Sequence, residues 1–181
     1  MIMISVFIFA TLKLSFSQLW HNSEYMVVSK TPMCIEATID VSKALIDIKG
    51  LDDFSKYYQQ ILFEVSRIFA WHNIKFNVVG WNFWLGHDQI QIGSTIEETM
   101  PRYRQFVMDQ NDGRDIHILF VNINNTVSNL GKSFYNGACT VDSYAIAQVG
   151  DRAHWDAIYA AGIVAHEIGH LLGFDHIDES N

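Results

Sequence analysis

The chain has 181 residues, of which 49% are hydrophobic, 13% aromatic and 18% charged. That composition excludes a disordered chain, and the length fits one substantial domain rather than two. The balance of 12 basic against 20 acidic residues gives a formal charge of −8. Nucleic-acid binders need the opposite, a basic face that displaces counterions from phosphates, so no nucleic-acid partner is expected.

Residues 1–17, MIMISVFIFATLKLSFS, contain an uncharged apolar run from Ile2 to Ala10. About 20 apolar residues are needed to cross a bilayer, so the run fits the hydrophobic region of a signal peptide instead. Ser15 and Ser17 supply small residues at −3 and −1 of a cut before Gln18. No Lys or Arg precedes the run, which leaves a buried N-terminal strand as the alternative. The expectation is a secreted, extracellular chain with no membrane span after processing and a short segment, residues 18–32, before the fold. Cys34 and Cys139 allow at most one intramolecular disulfide, and Asn124-Asn125-Thr126 is a glycosylation sequon that matters only to a secreted protein.

With only 2 prolines in the chain, no Pro-rich linker divides the remainder. Ile35, Ala37 and Ile39 alternate with Glu36, Thr38 and Asp40, predicting a half-buried strand. Phe54, Tyr58, Ile61, Val65, Ile68 and Phe69 recur at helical spacing behind Asp52 and Asp53. Ile74, Phe76 and Val78 alternate again in a segment reaching Trp84, so the trio predicts a parallel crossover. Ser94 and Glu97 match a capping box that opens a second helix through about Met108. After the loop Asn111-Asp112-Gly113, the apolar run Ile116 to Val121 predicts a central strand. Shorter strands are predicted near Ser133–Ala138 and Tyr144–Val149, then a helix from about His154 to Leu172 stopped by Gly173. The alternation predicts an α/β fold, with a mixed, mostly parallel sheet flanked by helices.

The last helix carries His166-Glu167-Ile168-Gly169-His170, and the chain continues Leu171-Leu172-Gly173-Phe174-Asp175-His176. Residues four apart share a helical face, so His166 and His170 can aim imidazole nitrogens at one point. A straight helix would carry a third ligand away. Gly173 can adopt a positive φ and turn the chain so that His176 returns to the same ion. Three protein ligands leave a position for water, the mark of a catalytic zinc rather than a structural one. Zinc would acidify that water and polarise a scissile carbonyl while Glu167 serves as general base. The chemistry is peptide hydrolysis without a covalent intermediate. The other histidines, 21, 72, 87, 117 and 154, lack such spacing and read as surface or hydrogen-bonded residues.

The motif of His166, Glu167, His170, Gly173 and His176 resembles that of the metzincin metalloproteases. Among them the chain is most similar to the secreted adamalysins or reprolysins of venoms and tick saliva. Cys34 to Asp40 is similar to the family's first strand, and Ile74 to Trp84 with Asp88-Gln89-Ile90 to its second strand and the stretch beyond. Lys132 to Cys139 is similar to the edge strand before the zinc helix. The resemblance implies a zinc metalloendopeptidase domain over residues 33–181, with Glu167 catalytic and His166, His170 and His176 holding one Zn²⁺. It also implies that Ser133, Phe134, Tyr135, Asn136, Gly137 and Ala138 bind protein or peptide substrates as an antiparallel strand. A structural Ca²⁺ near Glu36 and Asp115 is a further implication. A monomer is expected.

Some features depart from the family. Ile177 follows His176 where adamalysins usually carry Asp and matrix metalloproteases Ser, and Asp178 stands one position off. No Met follows Met108, so the methionine turn and lower subdomain are expected to lie past Asn181, along with cysteines that would pair with Cys139. With a leader directly before the first strand, no latency propeptide is expected between them. Pro32-Met33-Cys34 faintly resembles a cysteine switch, but Cys34 reads better as a buried strand cysteine. The alternatives are a truncated, non-catalytic zinc-binding relative, or a metzincin of the astacin or matrixin branch.

Overall fold

A computed structural model describes residues 31–123, 129–150 and 156–176, with Lys49, Leu51, Asp52 and Phe54 described in backbone only. The candidate leader, the sequon, His21, His154, Ile177 and Asp178 lie outside the described residues. The elements run β1 (Met33–Val41), α1 (Lys43–Lys49), α2 (Leu51–Ala70), β2 (Ile74–Phe83), α3 (Ile96–Gln110), β3 (Ile116–Val121), β4 (Gly131–Ser133), β5 (Tyr144–Gln148) and α4 (Ala157–Leu171). The five strands form one sheet in the order β2-β1-β3-β5-β4. All neighbours are parallel except β4, which pairs antiparallel with β5 as an edge strand.

Helices cover both faces. On one, the predicted stripe of α2 buries Tyr58, Ile61, Val65 and Phe69 against Ile39, Ile118, Ala147 and the inner residues of α4. Tyr58 stacks on Phe120 of β3 at 5.1 Å between ring centroids. Each such fully buried apolar side chain contributes about 1.5–3 kcal/mol relative to exposure. On the opposite face α3 buries Ile96, Met100, Tyr103 and Val107 against Leu119, Val121, Tyr144 and Ile146. The three-layer arrangement confirms the α/β expectation.

Strand β1 is not half-buried. It lies between β2 and β3, and both Thr38 and Asp40 are buried. Partners compensate their polarity: Asn82 Nδ2 donates to Asp40 Oδ1 at 2.8 Å, and the Tyr103 hydroxyl to Oδ2 at 2.7 Å. Thr38 Oγ1 donates to Asp112 Oδ2 at 3.3 Å. The same carboxylate lies 3.1 Å from His117 Nε2 on β3. Alternation in the sequence therefore marks two differently packed faces rather than a wet and a dry one.

The capping box also differs from expectation. The cap of α3 is Thr95, whose Oγ1 accepts the Glu98 N–H at 3.1 Å, while Glu98 Oε2 accepts the Ser94 N–H at 2.9 Å. The box thus sits one residue later than Ser94 and Glu97. Glu97 instead accepts a hydrogen bond from Asn129 Nδ2 at 2.6 Å and faces Lys132 Nζ at 3.7 Å. Helix α1 was not expected. Its first turn is capped from afar, by Asp88 Oδ1 accepting the Lys43 N–H at 2.6 Å.

Cys34 is exposed, not buried, because it lies at the uncovered start of β1. The predicted strand Ser133–Ala138 shrinks to Gly131–Ser133, and residues beyond it turn away, with Asn136 and Cys139 at φ of 57° and 60°. Backbone in that region cannot extend a ladder.

Candidate metal centre

Helix α4 is started by Asp156, whose Oδ1 accepts the Tyr159 N–H at 2.8 Å. It buries Ala161, Val164, Ile168 and Leu171 in the core. His166 and His170 fall on the remaining, half-buried face.

The helix stops as the sequence predicts. Gly173 takes φ of 88°. Its N–H donates to the His170 carbonyl and that of Phe174 to the Gly169 carbonyl, each at 2.9 Å. These are the paired bonds of a Schellman stop, which reverses the chain over the last turn. The reversal returns the Phe174 carbonyl to 2.8 Å from His170 Nδ1 and carries His176 back to the helix face.

The three imidazoles converge. His166 Nε2 lies 3.0 Å from His170 Nε2 and 3.1 Å from His176 Nε2. Tetrahedral zinc with bonds of about 2.0–2.1 Å spaces its ligand atoms about 3.3 Å apart, within a few tenths of these distances. Since a carbonyl only accepts, His170 Nδ1 must carry its hydrogen, which makes Nε2 the ring nitrogen available to a metal. Burial, reinforced by His170 and His176, pushes the His166 pKa down to about 4, so this ring is neutral near pH 7. Three ring nitrogens this close can share one cation, and the donor set suits zinc. Among the described residues, no other group of three or more His, Cys, Asp or Glu side chains is close enough to share a metal ion.

Glu167 reaches toward the sheet edge and is 5% exposed. Ser133 Oγ donates to its Oε2 at 2.6 Å. Gly131 makes room for the carboxylate, because a Cβ there would stand 2.5 Å from Oε1. Burial raises the Glu167 pKa to about 7 against the opposing pull of the Ser133 hydrogen bond and of His176. Gly131 was not among the expected site residues, and only a glycine opening the edge strand hinted at it.

The predicted substrate segment splits into two parts. Asn136 and Ala138 donate their N–H groups to the His170 and Leu171 carbonyls at 2.8 and 3.0 Å, and Gly137 donates to Phe134. These residues brace the end of the metal helix. Ser133, Phe134 and Tyr135 border the free side of β4, and Phe134 and Tyr135 are exposed. The calcium expectation gains no support. Glu36 Oε2 is taken by Arg114 at 2.7 Å, and Asp115 Oδ2 accepts the Glu36 N–H at 2.8 Å.

Comparison with known proteins agrees with this geometry. The model of the Reprolysin (M12B) family zinc metalloprotease matches residues 39–181. The chain is 22% identical over 165 residues to the disintegrin and metalloproteinase domain-containing protein adm-2 of Caenorhabditis elegans, covering 83% of this chain and 17% of that protein. It is 28% identical over 107 residues to disintegrin and metalloproteinase domain-containing protein 1a of Mus musculus, covering 58% of this chain and 13% of that one. It thus spans less than a fifth of these relatives' length. The fold is similar to that of metalloproteinase-II from Bacteroides fragilis, at a TM-score of 0.55 and 16% identity over 82% of this chain and 44% of that one. A chain from a chaperone–substrate complex is also similar, at a TM-score of 0.63 and 16% identity over 83% of this chain and 25% of the other.

Proposed function

The chain belongs to the reprolysin (M12B) family of zinc metalloproteases, and from that premise we propose that it is a secreted zinc-dependent endopeptidase with Glu167 as general base. The observation that carries the reading is the convergence of His166, His170 and His176 beside a buried carboxyl on the same helix. Those three histidines would hold zinc, which supplies Lewis acidity to a peptide carbonyl and to water. The Glu167 carboxylate accepts a proton from water at one oxygen and later delivers it to the departing amine. Its pKa of about 7 suits both transfers near neutral pH.

The peptide docks on the free edge of β4. The Gln148 N–H bonds the Leu130 carbonyl. In an antiparallel ladder bonded pairs alternate, so Gly131 and Ser133 direct their main-chain groups away from β5. An extended peptide can pair there. Secretion rests on the apolar run Ile2 to Ala10 and its small flanking residues.

The test is digestion of an unfolded protein such as carboxymethylated casein by the zinc-loaded chain, with mass spectrometry of the products. Internal cleavage that a chelator abolishes and zinc restores is expected. Zinc-loaded protein that leaves casein intact would refute the reading.

A further inference from the structure

Gly131 and Ser133 are two apart on a strand, so their α-substituents share one face, and that face meets Glu167. The two contacts hold different parts of one carboxylate. Ser133 Oγ donates to Oε2 at 2.6 Å, and the bare Cα of Gly131 lies against Oε1. The main-chain groups of these same residues face the open edge of the sheet. One residue therefore touches both the proposed base and the proposed docking strand.

We propose that Ser133 is a positioning residue: its hydroxyl fixes the Glu167 carboxylate, so that a peptide pairing with β4 is registered against the base. This rests on the reading of Glu167 as general base. A carboxylate at the end of a Glu side chain has free rotation about its terminal bond. Anchoring one oxygen leaves the other in a defined direction, while the glycine prevents the strand from pushing the group aside. Misplacing a reacting group by about an ångström costs as much as about a hundredfold in rate, so the anchor is felt in turnover. It is not felt in docking, which uses the strand's main chain.

The experiment compares wild type, Ser133→Ala, Ser133→Thr and Glu167→Gln as zinc-loaded full chains on a quenched-fluorescent peptide. Ser133→Ala is expected to lower kcat about tenfold or more with KM within about twofold, and Ser133→Thr, which keeps the hydroxyl, to restore most of it. A double-mutant cycle on urea unfolding of the metal-free chain supplies a readout independent of turnover. Ser133→Ala and Glu167→Ala should be non-additive there, because they remove the two ends of one hydrogen bond. Wild-type kcat in Ser133→Ala beside an inactive Glu167→Gln would overturn the positioning role alone, as would additive unfolding effects. Full turnover by Glu167→Gln would instead overturn the assignment of the base.

Discussion

His170 Nδ1 lies 2.8 Å from the carbonyl oxygen of Phe174, so the chain's reversal at Gly173 sets the tautomer of a metal-site histidine. The hydrogen is held on Nδ1, and the Nε2 lone pair is left to face His166. Backbone conformation and ligand chemistry are thereby coupled through one bond.

Gly173→Ala tests that coupling. At φ of 88° a Cβ strains the backbone, by about 1–2 kcal/mol. Relief of that strain would withdraw the Phe174 carbonyl from His170, and loss of such outer partners typically weakens metal binding by about 10–100-fold. Competition against a chromophoric chelator measures it. Wild-type zinc affinity in Gly173→Ala would contradict the coupling.

The shifted capping box gives a second prediction. Thr95→Ala removes the acceptor for the Glu98 N–H and should lower unfolding free energy by about 1 kcal/mol. Ser94→Ala keeps the main-chain bond to Glu98 and should cost less. Urea unfolding of both variants ranks them, and a reversed order would return the cap to Ser94.

Gly131→Ala should destabilise the chain by about 1–3 kcal/mol through overpacking, because its Cβ would meet Glu167 Oε1 at 2.5 Å and Cγ at 2.7 Å. The thermal midpoint of the metal-free protein reads this out. An unchanged midpoint would mean that β4 is free to draw back from the helix.

Asp40 predicts a pH dependence. Burial raises its pKa, opposed by the hydrogen bonds from Tyr103 and Asn82 and by His117, and assisted by Asp112. A carboxyl whose folded pKa exceeds its unfolded value binds its proton more tightly when folded. Its contribution is full below the unfolded value of about 3.9 and is lost as pH rises through the folded one. Asp40→Asn has no such loss. The stability of the variant relative to wild type should therefore grow from about pH 4 upward and then level off. A difference that is flat with pH, measured by urea unfolding, would contradict the assignment.

Much of the fold was legible in the residues because it depended on local periodicity. The stripe from Tyr58 to Phe69 found α2, the run Ile116 to Val121 found β3, and the helix stop at Gly173 followed from the absence of a side chain. The spacing of His166, His170 and His176 foretold their convergence for the same reason. What escaped depends on contacts distant in sequence. Asp88 caps α1 from 45 residues away, and Tyr103 satisfies Asp40 from 63. Ser133 and Glu167, 34 apart, meet only because β4 pairs with β5 beside α4. The extended strand expected over Ser133–Ala138 failed because the amides of Asn136 and Ala138 close the end of α4.

The proposed chemistry depends most directly on Glu167. Zinc content by atomic emission and hydrolysis of a quenched-fluorescent peptide, measured on one preparation of Glu167→Gln, test it together. One zinc per chain with hydrolysis reduced by about a hundredfold or more is the predicted result. Hydrolysis at the wild-type rate with zinc bound would contradict it.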